Sequence, residues 1–587
     1  MNAPRFGPEL TPDGVTFRLW APAAQRVDVV LDRAHPMKRK SDGWHEVTIP
    51  GARAGTLYKF RIDDDLAVPD PASHFQPEDV SGPSEVIDHD EYRWQAPDWR
   101  GRPWEATAFL ELHIGTFTPI GTFRSAIERL DQVAATGLTA IELMPLADFA
   151  GRRSWGYDGA LLYAPDSSYG RPDDLKALID AAHARGLMVF LDVVYNHFGP
   201  EGNYLGSYAP AFFTAAQTPW GSAIDYRVTQ VRAFAIENAI HWLDRYCFDG
   251  LRLDAVHAIV EPGNPPILHD LSRAVGELAA RTGRKLHLVL ENEDNTASLL
   301  DPRQDPPQGR YRAQWNDDYH HAWHGLLTGE NKGRYQDEAQ RPAGQIVRVL
   351  SSGFARRGGP SPNHQGRAGG EQPRRLSPLA FVNFLQNHDQ IGNRPRGERL
   401  SNQAGEAALT AALAVTLLAP MPPLLFMGEE WGSSRPFPFF CDFNGDLAEA
   451  VRQGRRRELA QDHAQFGDDI PDPLAEATFR SAVLDWDERE QPQARKRLTF
   501  VRDLLAVRKR EIAPRLAGAQ FGSARCDGNV LTATWQLGDG SELLLVANLS
   551  NAAAQAPMRL HPKRPLWSNG APDTLPPWAV LWSIGAI

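Results

Sequence analysis

From Ala108 to Met427 the chain repeats one unit, a short and almost wholly apolar run followed by an amphipathic helical stretch. A strand that is apolar on both faces must be covered on both. Helices that return the chain between such strands make them run parallel. The runs lie at Ala108–Ile114, Ala140–Pro145, Leu187–Val194, Gly250–Leu253, Leu286–Leu290, Tyr311–Trp315, Ala380–Leu385 and Pro423–Met427. The spacing predicts a helix over Phe123–Thr136 stopped by Gly137, and another over Asp173–Arg185 ended by Gly186. Glycine just past the last helical residue is a common stop. No Gly-x-Gly-x-x-Gly turn follows the first run, so a closed (β/α)8 barrel fits better than a doubly wound sheet.

The barrel does not account for all 587 residues, which are too many for one core. Up to about residue 100 the pattern alternates, as in Val15–Trp20, Arg26–Leu31 and Gly55–Ile62, which predicts an N-terminal β-sandwich over 1–100. Alternation returns at Val530–Trp535 and Glu542–Asn548, predicting a C-terminal β-sandwich over 511–587. The barrel then spans 101–510, with a Tyr-, Pro- and Gly-rich excursion at about 198–230. An excursion of that size after a barrel strand is expected to wall the site. Phe354–Arg375, rich in Gly, Pro and Arg and without periodicity, is expected at the surface.

A net charge of −11 argues against nucleic acid and against an anionic membrane, and it suits a neutral substrate. The longest apolar run, Ala411–Phe426, is interrupted by Pro420, Pro422 and Pro423 and is no membrane span. Cys247, Cys441 and Cys526 make no disulfide framework, and the first residues carry no apolar signal core. The expectation is a cytoplasmic protein.

Barrel enzymes keep their chemistry at the C-terminal ends of strands. There this chain places Asp192-Val-Val-Tyr-Asn-His197, Arg252 with Asp254, Glu291, and Gln386-Asn-His-Asp389. One such residue alone is an ordinary helix cap. Arg252 and Asp254 are two apart on a strand and share a face, so the guanidinium is expected to lower the carboxyl's pKa and keep a nucleophile ionised. Glu291 follows the apolar Leu286–Leu290 with no cation beside it in the sequence, so desolvation is expected to keep it protonated as the acid. Glu293 has the same parity, and alternation alone does not separate the two. Asp389 is a third carboxylate, and His197 and His388 are expected to donate to sugar hydroxyls. Two carboxyls in different surroundings are what glycoside hydrolysis requires.

In order, Asp192–His197, Gly250–Asp254, Glu291 and Asn387–Asp389 resemble the four short motifs of the α-amylase family of retaining glycoside hydrolases. The resemblance implies Asp254 as nucleophile, Glu291 as acid/base and Asp389 as transition-state stabiliser. It also implies a substrate surface of Tyr157, His197, Arg252, His257, Asn387 and His388. Trp155-Gly-Tyr157-Asp158 is similar to the family's segment that sets an aromatic ring under the sugar being cleaved. The N-terminal module is expected to be immunoglobulin-like, of the glycan-binding type.

Further segments resemble one branch of that family: Asp70–Pro77, Gly82–Glu85, Thr218–Gly221, Trp315–His321 and Met427–Trp431. Its members cut the α-1,4 bond next to the terminal trehalose unit of maltooligosyl trehalose. Glycogen branching enzymes share the architecture and part of the Asp70 segment, and are the alternative. Within the excursion, Trp220 is the candidate wall for the leaving disaccharide. The resemblance implies related α-1,4-glucans as ligands and a metabolic pairing with maltooligosyltrehalose synthase. His320 and His324, with Asp317 and Asp318, have metal-ligand spacing on a helix. The resemblance makes them ordinary parts of a barrel, so no metal and no cofactor is expected. A non-catalytic glycan-binding barrel would need one catalytic carboxylate lost, and Asp254, Glu291 and Asp389 are all present.

Overall fold

The computed structural model describes residues 5–586 except 219–220, 260–265, 302, 304–310, 332–334, 336–340, 357–369, 374–375, 461–469, 557–563 and 571–573. Trp220 and most of the Phe354–Arg375 segment therefore lie outside the described residues.

Eight parallel strands form one sheet: β1 (Phe109–Leu112), β2 (Ala140–Leu143), β3 (Met188–Val193), β4 (Gly250–Leu253), β5 (His287–Leu290), β6 (Ala313–Trp315), β7 (Phe381–Val382) and β8 (Leu424–Phe426). Neighbours follow chain order from β1 to β7, and β8 pairs with β1. A parallel bridge between Asn383 and Pro423 closes the ring. There the Asn383 N–H donates to the Pro422 carbonyl at 2.9 Å, and the Leu424 N–H to Asn383 at 2.9 Å. The result is a barrel without a free edge, and every residue of these strands is buried. That explains why the runs read as continuous rather than alternating.

Two local expectations change. The seventh strand keeps only two residues: Ala380 belongs to the 3-10 turn Pro378–Ala380 before it, and Asn383 after it makes a single bridge to Pro423. The Phe123–Thr136 helix is two pieces, Phe123–Ile127 and Leu130–Thr136. A tightened bond from the Arg129 N–H to the Ala126 carbonyl interrupts it. Gly137 does end the second piece, at φ 95°. The helices that matter for the site are α1 (Pro172–Ala184), α2 (Thr229–Arg245), α3 (Ile267–Thr282), α4 (Asp317–Thr328) and α5 (His388–Gly392).

Before the barrel, two antiparallel sheets pack Val15, Phe17, Leu19, Val29 and Phe60 between them. Trp20 belongs to this region's core, its indole N–H donating to the Asp42 carbonyl at 3.1 Å. After the barrel, a five-stranded antiparallel sheet runs from Gln520 to Ala586, with a two-stranded piece, Ala554–Gln555 and Thr574–Leu575, beside it. The excursion holds a hairpin, Phe213–Thr218 with Gly221–Ile224. Phe212 anchors the chain just before this hairpin between Phe234 of α2 (5.5 Å) and Trp20 (5.6 Å). No described helix is long and apolar enough to cross a membrane.

Candidate active site

Arg252 on β4 organises the C-terminal mouth of the barrel. Its side chain is buried, and its Nη1 donates to Asp192 Oδ2 at 2.6 Å and to Asp254 Oδ1 at 2.9 Å. Its Nη2 lies 2.7 Å from Glu291 Oε2. The guanidinium plane rests over Trp315 of β6, 4.1 Å from the ring centre. Three carboxyls from three consecutive strands thus meet one cation. An arginine fork held on an aromatic face has little freedom left, so it fixes the carboxyls it touches.

The bridge to Glu291 corrects the expectation that this residue has no cation near it. Sequence neighbours miss the pairing because it crosses from β4 to β5. Burial still raises the Glu291 carboxyl above its ordinary value; Arg252 opposes this, while Asp254 and Asp389 add to it. The expected lowering at Asp254 is also overturned. Burial raises that carboxyl too, against the opposing pull of Arg252, and Asp192 adds its own negative charge. Arg252 is shared among three acids, so no single one receives its full charge. Both side chains keep a solvent-facing edge, 14% and 18% exposed, which limits how far burial shifts them.

Asp254 and Glu291 thus sit side by side on the two terminal nitrogens of one guanidinium. Asn196 Nδ2 donates to Asp254 Oδ2 at 3.0 Å and to its carbonyl at 3.1 Å. Ala255 follows in the left-handed region, φ 39°, and its N–H donates to Glu291 Oε2 at 2.9 Å. A non-glycine residue there is held by its surroundings, and such strain concentrates at functional sites.

Asp389 lies in the first turn of α5. Its carboxylate accepts from Asn393 Nδ2, and its N–H donates to Asn387 Oδ1 at 2.9 Å. Asn387 is the N-cap of that helix in a reciprocal box with Gln390, so it sets where Asp389 points. His388 Nδ1 meets Glu111 of β1, and its ring stacks on Tyr157 with centres 5.1 Å apart. Burial alone would lower its pKa, but Glu111 and Asp389 outweigh that and raise it. Tyr157 donates to Asp192 Oδ2 at 2.6 Å. The preceding Gly156 stands at φ 97°, where an added Cβ would come within 2.1 Å of the Pro145 carbonyl.

Two of the expected sugar contacts are engaged by protein instead. His197 faces Asn196 Oδ1 through Nδ1 and the Tyr157 carbonyl through Nε2 at 3.1 Å, and burial lowers its pKa to about 4. Both partners only accept, so whichever ring nitrogen carries the hydrogen points at protein rather than at a sugar hydroxyl. His257 accepts from the Glu293 N–H at 3.3 Å and lies beside the Glu293 carboxylate at 3.7 Å. Glu293 is thereby turned to His257, while Glu291 points at Arg252 and Ala255. The histidine run on α4 is likewise committed, His320 to the Leu385 carbonyl and the Tyr335 hydroxyl, and His324 to Glu330.

Sequence reasoning gave no role to Asp192, Asn196, Glu111 or Trp315. Glu111 did leave a signal: it is an acid inside an otherwise apolar, fully buried strand, where a charge needs a partner. Glu142 of β2 is a second such acid. Both its oxygens are buried without a partner among the described residues, and burial raises its pKa well above normal. Burial therefore favours the neutral form of that group.

Three family models match the chain: carbohydrate-binding module 48 (isoamylase N-terminal domain) over residues 5–71, the alpha amylase catalytic domain over 88–211, and a domain of unknown function, DUF3459, over 519–582. A malto-oligosyltrehalose trehalohydrolase of Deinococcus radiodurans is 41% identical over 541 residues, covering 91% of this chain and 87% of its own. A 1,4-alpha-glucan branching enzyme of Rubrobacter xylanophilus is 35% identical over 295 residues, only 45% of this chain and 40% of its own. A crystal structure of a Salmonella typhimurium protein assigned as an alpha amylase superposes with a TM-score of 0.94 at 42% identity, covering 99% of this chain and 100% of its own.

Proposed function

The chain belongs to the malto-oligosyltrehalose trehalohydrolases of the α-amylase family, and from that premise we propose that Asp254 and Glu291 cut the α-1,4-glucosidic bond next to the terminal trehalose of maltooligosyl trehalose. Trehalose leaves, and the shortened maltooligosaccharide follows after one water is added. Glu291, whose hold on its proton is strengthened by burial and by two neighbouring carboxyls, gives that proton to the glycosidic oxygen as the bond breaks. Asp254, held by Arg252 and Asn196, forms the bond to the anomeric carbon. In the second step Glu291 takes a proton from water, which displaces Asp254 and restores both groups. Asp389 stabilises the positive charge that develops on the sugar ring.

The observation that carries this reading is the single Arg252 fork spanning Asp254 and Glu291. It holds the two carboxyls as neighbours on one cation, which supports a double displacement through a covalent intermediate. Tyr157 and His388, stacked on each other, form the floor for the sugar to be cleaved. His197, Asn387 and His257 position these groups from behind. Trp220 is proposed to read the shape of the leaving disaccharide. The three parts of the chain, 1–100, 101–510 and 511–587, serve as glycan-binding module, catalytic barrel and covering sandwich. The cytoplasm, where three unpaired cysteines stay reduced, is the proposed compartment. Maltooligosyltrehalose synthase is the proposed source of substrate there.

Incubation with maltotriosyl trehalose tests the reading. Free trehalose and maltotriose are expected. Branched glucan formed from amylose, with no trehalose released, would turn the assignment to branching.

A further inference from the structure

Three imidazoles converge away from the barrel mouth. His74 comes from the Asp70–Pro77 loop, His89 from the segment entering the barrel, and His241 from α2. One ring nitrogen of each lies within 4.8 Å of the others. Ring centres are 4.9 Å apart for His74 and His89, 4.8 Å for His74 and His241, and 5.1 Å for His89 and His241.

What sets this group apart is its unused donors. His74 Nδ1 and both ring nitrogens of His89 are buried without a hydrogen-bond partner among the described residues. Burial without a partner is costly for a polar atom, and native structures rarely leave several together. His241 Nε2 lies 3.1 Å from the Tyr163 carbonyl. A carbonyl accepts only, so Nε2 carries the hydrogen and Nδ1 presents its lone pair. That second contact is the usual one behind a metal-binding histidine. The Tyr246 hydroxyl is also buried and has no hydrogen-bond partner among the described residues, its ring 5.3 Å from His89 and 5.5 Å from His241.

The surroundings hold the rings neutral, as ligation requires. Burial lowers the His74 pKa to about 3 and those of His89 and His241 well below normal. The cations nearby are Lys176 and Arg245. Each lies close to a carboxylate, Lys176 3.6 Å from Asp173 and Arg245 3.1 Å from Asp90, so the pocket is not strongly positive.

We propose that His74, His89 and His241 form a structural site for a divalent transition metal of the zinc class, tying the exit of the N-terminal module to the barrel. Nitrogen donors favour zinc, cobalt or nickel over calcium or magnesium. Three imidazoles leave a fourth position for solvent or for the Tyr246 hydroxyl. Tetrahedral zinc with Zn–N of about 2.0–2.1 Å needs the nitrogens about 3.3 Å apart, which ring rotation supplies. The His74 loop is held firmly enough to act as an anchor, since Asp70 accepts from Tyr58 at 2.7 Å and donates to Ser84 at 3.0 Å.

The test strips the full chain with a chelator, removes the chelator and titrates Co2+ and then Zn2+. The same is done with His89→Gln and, as a control on the other histidine cluster, with His324→Gln. The expected result is one equivalent retained after dialysis, visible bands of four-coordinate cobalt, and a melting temperature raised by several degrees. All three effects should vanish in His89→Gln and persist in His324→Gln. Failure of the parent chain to retain metal, or equal retention in His89→Gln, overturns the site. If His89→Gln does not fold, zinc X-ray absorption on the parent decides. Three imidazole nitrogens are expected, and a shell of oxygens overturns the proposal.

Discussion

The backbone N–H of Ala255 donates to Glu291 Oε2 across 2.9 Å, so the residue that follows one site carboxyl holds the other. The contact requires Ala255 at φ 39°. Ala255→Gly accepts that conformation freely and should leave both stability and kcat nearly unchanged. Ala255→Val should lose about 1–3 kcal/mol in urea unfolding. It should also lower kcat more than it changes KM, because Glu291 loses its backbone donor. A valine variant as stable and active as the parent would remove the strain from the account.

Asp254→Asn keeps the shape of the side chain but supplies no nucleophile. Turnover of maltotriosyl trehalose should fall by more than about a thousandfold. Substrate binding by calorimetry should persist, since Arg252 still has Asp192 and Glu291 to hold it. Activity within tenfold of the parent would rule Asp254 out as nucleophile.

Retention of configuration follows from attack by Asp254 and a second displacement by water, with Asp254 and Glu291 held on one guanidinium. Proton NMR during the first minutes of hydrolysis should show the α-anomer of the shortened oligosaccharide before mutarotation. An initial β-anomer would be incompatible with a covalent intermediate on Asp254.

Gly156→Ala tests how Tyr157 is placed. The new Cβ would sit 2.1 Å from the Pro145 carbonyl at a backbone angle that alanine resists. The expected cost is at least about 1–3 kcal/mol, with the Tyr157 contact to Asp192 displaced. KM should rise and kcat fall together, whereas Tyr157→Phe should lose activity with a smaller drop in melting temperature.

The buried histidines make an acid-side prediction for the metal-free chain. His74 titrates at about 3 in the fold against 6.5 when free, so the unfolded chain binds the extra proton between those values. Its contribution is complete above about pH 6.5 and is lost as pH falls toward 3. His89 and His241 act in the same direction. Asp70, raised to about 6, and Glu429 and Glu430, raised to about 7, act oppositely and favour the fold in acid. The comparison with His74→Gln isolates the ring: between pH 6.5 and 3 the variant's melting temperature should fall less than the parent's. A steeper fall in the variant would contradict the sign.

Legibility in the sequence followed the range of the interaction. Barrel strands announced themselves because burial on both faces demands unbroken apolar runs, although most strands are shorter than the runs, β7 most of all. Local punctuation also read well, as at Gly137 and Gly186. Asn387 and His257 were visible as polar residues near strand ends, yet their contacts, a helix cap and a Glu293 partner, were not.

By itself the sequence determined which strands exist, that they run parallel, and that carboxyls and an arginine stand at their C-terminal ends, because period and burial are local properties of the chain. Tertiary structure alone decided that Arg252 serves Asp192, Asp254 and Glu291 at once, since that depends on the register of β3, β4 and β5. It therefore decided the direction of both carboxyl shifts, which arise from burial and from neighbours on other strands. It alone brought His74, His89 and His241 together, because a loop, a linker and a helix meet only after the N-terminal module has packed on the barrel.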